Sequence, residues 1–172
     1  MRENLKEYFG NRLQMIVPLM AAIMFVLADF CGNFNVRPML GLSAVFFWLF
    51  NRPDIFNLFS VALIGFFCDI FSAVPPGTYL IAFLAVYIME IKIAGFISNK
   101  LFVINFASFA LISLAAILIE WTIVSIYYQK ALPFAVNFFD WLLTICLYPL
   151  VAFINLKIAS LFLHEEEDFL DE

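Results

Sequence analysis

The sequence predicts an all-α integral membrane protein, a compact bundle of six transmembrane helices with both termini in the cytoplasm. Three observations carry that expectation. Of 172 residues, 65% are hydrophobic and only 13% charged, with a mean hydropathy of +1.00, against roughly 45–50% apolar and 25% charged in soluble domains. Apolar runs recur along the whole chain and are parted only by short polar stretches, so residues 1–163 read as one membrane domain followed by an acidic tail, 164–172. Basic residues also segregate to one side of the arrangement those runs define.

A crossing needs about 20 apolar helical residues, and six runs are candidates: about Leu13–Gly32, Pro38–Phe50, Ile55–Ala73, Thr78–Ile97, Leu101–Tyr128 and Phe134–Leu163. The first is too long for a signal-peptide core and lacks a small-residue cleavage site, so it is expected to stay as a span. The second is short, since Met39 to Phe50 rises only ~18 Å; it either extends backwards through Asn33–Arg37 or is re-entrant. The connections Asn51–Asp54, Val74–Gly77, Ser98–Lys100 and Gln129–Pro133 are short, which makes consecutive helices antiparallel neighbours. Pro149 inside the last run is expected to kink it.

With six spans and a cytoplasmic N-terminus, Arg2, Lys6, Arg12, Arg52, Lys92, Lys100 and Lys157 lie inside, and only Arg37 and Lys130 lie outside. A re-entrant second segment leaves four basic residues inside and five outside, so the six-span arrangement fits the positive-inside rule better. The net charge of −5 is local: six of the fourteen acids sit in EEEDFLDE, and the rest of the chain is close to neutral. That tail reads as a solvated end, and the absence of a basic patch argues against a nucleic-acid partner. Cys31, Cys68 and Cys146 are widely spaced in or beside apolar runs and read as packing residues.

At ~1.5 Å per residue, Asp29, Asp69, Glu120 and Asp140 all fall in the outer half of the bilayer, where Arg37 begins the second span. A carboxylate in hydrocarbon costs on the order of 2.5 kcal/mol or more. The expectation is therefore that Arg37 pairs with Asp69 or Asp29 and fixes the first three helices, the alternative being that these acids simply reach water at the interface. Glu90 and Lys92 point to different helix faces; Lys92 snorkels, whereas Glu90 faces a cavity or a neighbouring helix. The only histidine, His164, opens the acidic tail, and no glycine-rich phosphate loop is present. A non-enzymatic protein without metal or cofactor is expected.

The ordered set Arg37-Pro38, Trp48, Pro53, Gly65-x-x-x-Asp69 and Pro75-Pro76-Gly77 resembles the rod shape-determining MreD family. Size, six apolar segments and short loops agree along the chain, and the motif agreement covers about Arg37–Gly77. The resemblance implies a scaffold of the bacterial cell-elongation machinery, multi-pass in the cytoplasmic (inner) membrane and surrounded by lipid. It implies direct binding of MreC, and through it association with MreB filaments, RodA and a class B penicillin-binding protein in peptidoglycan synthesis. The small residues Gly65, Ser72 and Ala73 are expected near the partner contact. The family's fold is similar to substrate-binding subunits of energy-coupling-factor vitamin transporters, so a small-molecule transport subunit is the alternative, with the outward-facing acids as its ligand groups.

Overall fold

Helices account for every regular element among the described residues, which in this computed structural model are 2–31, 37–53, 56–72, 74–94 and 102–163. They are α1 (Arg2–Cys31), α2 (Leu40–Asn51), α3 (Leu58–Phe71), α4 (Thr78–Ala94), α5 (Phe102–Tyr127) and α6 (Phe134–Leu163). The tail 164–172 and the Cys31 and Ala73 side chains lie outside the described residues. The polar punctuation has local roles: the Asn57 side chain accepts the Ser60 amide at 3.0 Å and starts α3, as an N-cap residue does. At the other connection, the Trp121 indole N–H donates to the Leu132 carbonyl at 3.1 Å, tying the end of α5 to the approach of α6. Pro149 lies within a helix that runs on from Phe134 to Leu163.

The arrangement is a ring of five helices around a sixth. The pairs α1–α3, α3–α4, α4–α5, α5–α6 and α6–α1 pack side by side and close the ring, and α2 packs against α1, α4, α5 and α6. Gly41 to Leu49 are consequently buried without interruption. A helix that is apolar all round is one that other elements surround, which explains why LGLSAVFFWLF lacks a polar face. Its rings carry much of the core: Phe109 stacks on Tyr148 with centroids 4.0 Å apart, and Phe46 meets both edge-on at 5.1 and 5.8 Å.

This placement bears directly on the count of crossings. Two helical stretches, Val103–Tyr127 and Phe134–Leu161, are long and apolar enough to cross a membrane, and both present apolar side chains outward, Val103, Leu111 and Ile126 from α5 and Phe139, Leu150 and Phe153 from α6 among them. Ile16–Phe30, Leu40–Asn51 and Leu58–Phe71 are apolar but shorter. In α5 and α6 apolar composition accompanies an outward face, whereas in α2 its cause is the surrounding protein, and an enclosed helix need not match a bilayer thickness.

Candidate functional site

The candidate site is the end of the bundle where α1, α3 and α5 finish and α2, α4 and α6 begin. A helix start leaves several amide N–H groups without intrahelical partners, and apolar surroundings offer no water to take them. Two aspartates solve this at consecutive helix pairs. Asp69, in the last turn of α3 and 9% exposed, accepts the amides of Gly77 (3.0 Å), Tyr79 (2.9 Å) and Leu80 (3.2 Å). The intervening turn is suited to such a cap, because Pro75 and Pro76 have no amide to satisfy and Gly77 takes φ +93°, a left-handed conformation natural to glycine. The Thr78 hydroxyl closes the turn on the Pro75 carbonyl at 2.6 Å.

Asp29 repeats the device one helix pair earlier, accepting Leu40 N–H at 2.9 Å and Gly41 N–H at 3.0 Å. Two further acceptors come from α6. Asp140 Oδ1 takes the Arg37 amide at 2.7 Å, and Thr144 Oγ1 takes that of Met39 at 3.0 Å while its own proton goes to the Asp140 carbonyl at 2.6 Å. Pro38 has no amide, so every backbone donor from Arg37 to Gly41 is matched. The carboxylates also sit where the positive ends of the α2 and α4 dipoles favour negative charge. Glu120 joins the group through Tyr79, whose hydroxyl donates to Oε1 at 2.9 Å; Tyr79 thus links the α3–α4 cap to α5.

The expected pairing of Arg37 with Asp69 or Asp29 is not what the structure holds. Among the described residues Arg37 forms no ion pair with either; it is exposed, and its backbone amide, not its guanidinium, meets a carboxylate, that of Asp140 on α6. The expectation rested on the desolvation cost of a buried guanidinium, a cost an exposed one does not meet, and both aspartates already accept backbone amides on each of their oxygens. Gly65 is likewise turned inward rather than toward a partner. A Cβ there would lie 2.9 Å from Leu80 Cα and 3.2 Å from the Tyr79 carbonyl oxygen, so the glycine lets α3 and α4 approach. The Ser72 hydroxyl donates to the Asp69 carbonyl at 3.2 Å.

Beneath this end lies a cavity of about 30 Å³, lined by Asp29, Arg37, Pro38, Cys68, Tyr79 and Phe83 among others. That is room for about two water molecules. Cys68 is buried beside it, whereas Cys146 is exposed on α6, so the packing role expected of all three cysteines holds for Cys68 only among those described.

Of the other motif residues, Trp48 is fully buried, and its indole N–H donates to Asn155 Oδ1 at 2.9 Å, linking α2 to α6. Asn155 is held by its own donation to the Val151 carbonyl at 2.9 Å. Pro53 and Pro76 are exposed in turns. Sequence reading missed Tyr79, Thr144 and Asn155. The signal available was polarity alone: each is a single polar group inside an apolar run, of the kind that seeks a partner across helices in lipid.

Comparison with known proteins gives one distant relative, an uncharacterized protein of Rickettsia prowazekii (strain Madrid E). It is 25% identical over 155 residues, which cover 87% of this chain and 90% of the relative. No family model matches, and no solved structure does.

Proposed function

We propose that the protein is a non-enzymatic, multi-pass scaffold of the bacterial inner membrane that acts in cell elongation in the manner of MreD, binding MreC and helping to couple MreB filaments to peptidoglycan synthesis. The observation that carries this reading is that Arg37, Pro38, Gly65, Asp69 and Pro75 to Gly77 of the motif meet along the α3–α4 contact and the α2 start, whereas Trp48 lies further along α2 and Pro53 beyond its far end. Asp69 caps α4, Gly65 admits α4 against α3, Pro75 to Gly77 make the turn between them, and the Arg37–Pro38 segment starts the enclosed helix α2. Such a unit sets the relative positions of helices rather than performing chemistry. Two helices, α5 and α6, are long and apolar enough to cross; the reading that all six cross, with cytoplasmic ends and α2 crossing inside protein, rests on the seven-to-two distribution of basic residues.

At the motif end the scaffold is favoured over a vitamin site, since the cavity there is about 30 Å³ and ligand pockets are typically about 300–1,000 Å³. Depletion in a rod-shaped host that depends on the protein is expected to round the cells and to scatter MreB from the membrane. Rod shape maintained after the protein has disappeared from the membrane fraction contradicts the reading, and loss of uptake of a vitamin with normal shape points to the transport subunit.

A further inference from the structure

The cavity beneath the capped end borders both capping systems. Asp29 of α1, Cys68 of α3 and Tyr79 of α4 line it, and Leu42 of α2 and Phe83 of α4 belong to its apolar wall. Asp29 is the cap of α2. Tyr79 belongs to the other cap, its amide bound to Asp69 and its hydroxyl to Glu120 of α5. Among the described residues no hydrogen bond passes directly from Asp29 to Tyr79, so the two caps meet only across this space.

The polar groups around it have bonding capacity left. A carboxylate offers about four lone-pair positions, and Asp29 spends one on Leu40 and one on Gly41. The Tyr79 hydroxyl gives its proton to Glu120, and its oxygen can still accept. Cys68, 5% exposed, brings a thiol, a weak donor. Cavities that stay dry are lined by apolar groups, whereas a water needs room for about one probe sphere and two to four polar partners. A volume of about 30 Å³ beside a carboxylate, a phenol and a thiol meets both conditions.

We propose that this cavity is a binding site for one or two structural water molecules, held by Asp29, Tyr79 and Cys68, which join the two caps into a single hydrogen-bonded network. Water here donates to the Asp29 carboxylate and to the Tyr79 oxygen and accepts from the Cys68 thiol. Asp29 brings α1 and α2 into the network, Asp69 and the Tyr79 amide bring α3 and α4, and Glu120 brings α5. The assignment depends on the cavity and not on any protein partner, so it stands apart from the scaffold reading.

The test is the thermal midpoint of the purified full-length protein in detergent, for two substitutions at Cys68 of similar size and opposite polarity. C68S keeps a hydrogen-bonding partner for the water and is expected to melt within about 2 °C of wild type. C68V fills part of the space and offers the water nothing, and is expected to melt about 3 °C or more lower. A dry cavity gives the reverse order, because valine then fills apolar space and serine buries a hydroxyl in it. That order, or equal midpoints for the two variants, overturns the proposal. The joining of the caps is read from a double-mutant cycle between Asp29→Ala and Tyr79→Phe. With shared water, the midpoint loss of the double variant is expected to fall short of the summed single losses by about 2 °C or more. In the C68V background the losses are expected to add. Additive losses without C68V, or an unchanged shortfall with it, also overturn the proposal. The Cys68 pair decides the question by itself where Asp29→Ala proves too unstable to melt cooperatively.

Discussion

Replacing Asp69 with alanine is expected to lower stability by about 3 kcal/mol or more. The substitution removes three backbone hydrogen bonds at once and leaves the amides of Gly77, Tyr79 and Leu80 without acceptors, where each buried unpaired group costs about 1–3 kcal/mol. Asparagine is not a remedy. Oδ1 serves Tyr79 and Oδ2 serves both Gly77 and Leu80, so an amide NH2 in either position opposes at least one N–H with another donor. Asp29→Ala removes only two such bonds and is expected to cost less. Thermal unfolding of the three proteins in detergent checks the order, wild type above Asp29→Ala above Asp69→Ala. A charge swap between Arg37 and Asp69 should rescue nothing, because backbone amides, not the guanidinium, occupy the carboxylate.

The second large effect is expected at Gly65, where size should decide the outcome. Alanine gains about 1 kcal/mol of helix propensity over glycine, but its Cβ would press on the α4 backbone at Leu80 and Tyr79. Overpacking of this kind typically costs about 1–3 kcal/mol, and a helix backbone cannot rotate away as a side chain can. Gly65→Ala is therefore expected to be mildly destabilising and Gly65→Val strongly so, read as a stepwise fall in thermal midpoint. Equal midpoints for the three would show that α3 and α4 are not in close approach there.

Much of the site's geography was legible in the sequence, because it follows from alternating helix direction and the rise per residue. That arithmetic gathers Asp29, Asp69, Glu120 and Asp140 at one end, and the structure places all four there through their bonds to α2, α4 and Tyr79. What each carboxylate binds was not legible. Opposite charges suggested Arg37, but an aspartate in the last turn of a helix lies within reach of the next helix start when the connection is short, and backbone donors outnumber side-chain cations in any apolar setting. Asp29 and Asp69 each precede a proline by ten residues or fewer and then an apolar run, and that pattern is the cue for a remote cap.

The centrality of α2 was hidden for a different reason. Continuous hydrophobicity is the same signal whether lipid or protein surrounds a helix, and shortness was the only hint that Leu40–Asn51 is enclosed. Asn155 and Thr144 carried no spacing rule, since their partners, Trp48 and Met39, are more than 100 residues away in sequence.

The scaffold reading is tested most directly by photocrosslinking in growing cells, with the reactive residue placed on the outward face of α3. Phe59, Phe66 and Ile70 suit it, being 74%, 57% and 58% exposed and clear of the caps, so that folding is preserved. The account predicts capture of an MreC-type membrane protein at one or more of these positions, and weaker capture when Gly65→Val displaces α3. Capture of a transport ATPase subunit instead, or no capture of an MreC-type protein with the chain present at its normal level, would contradict it.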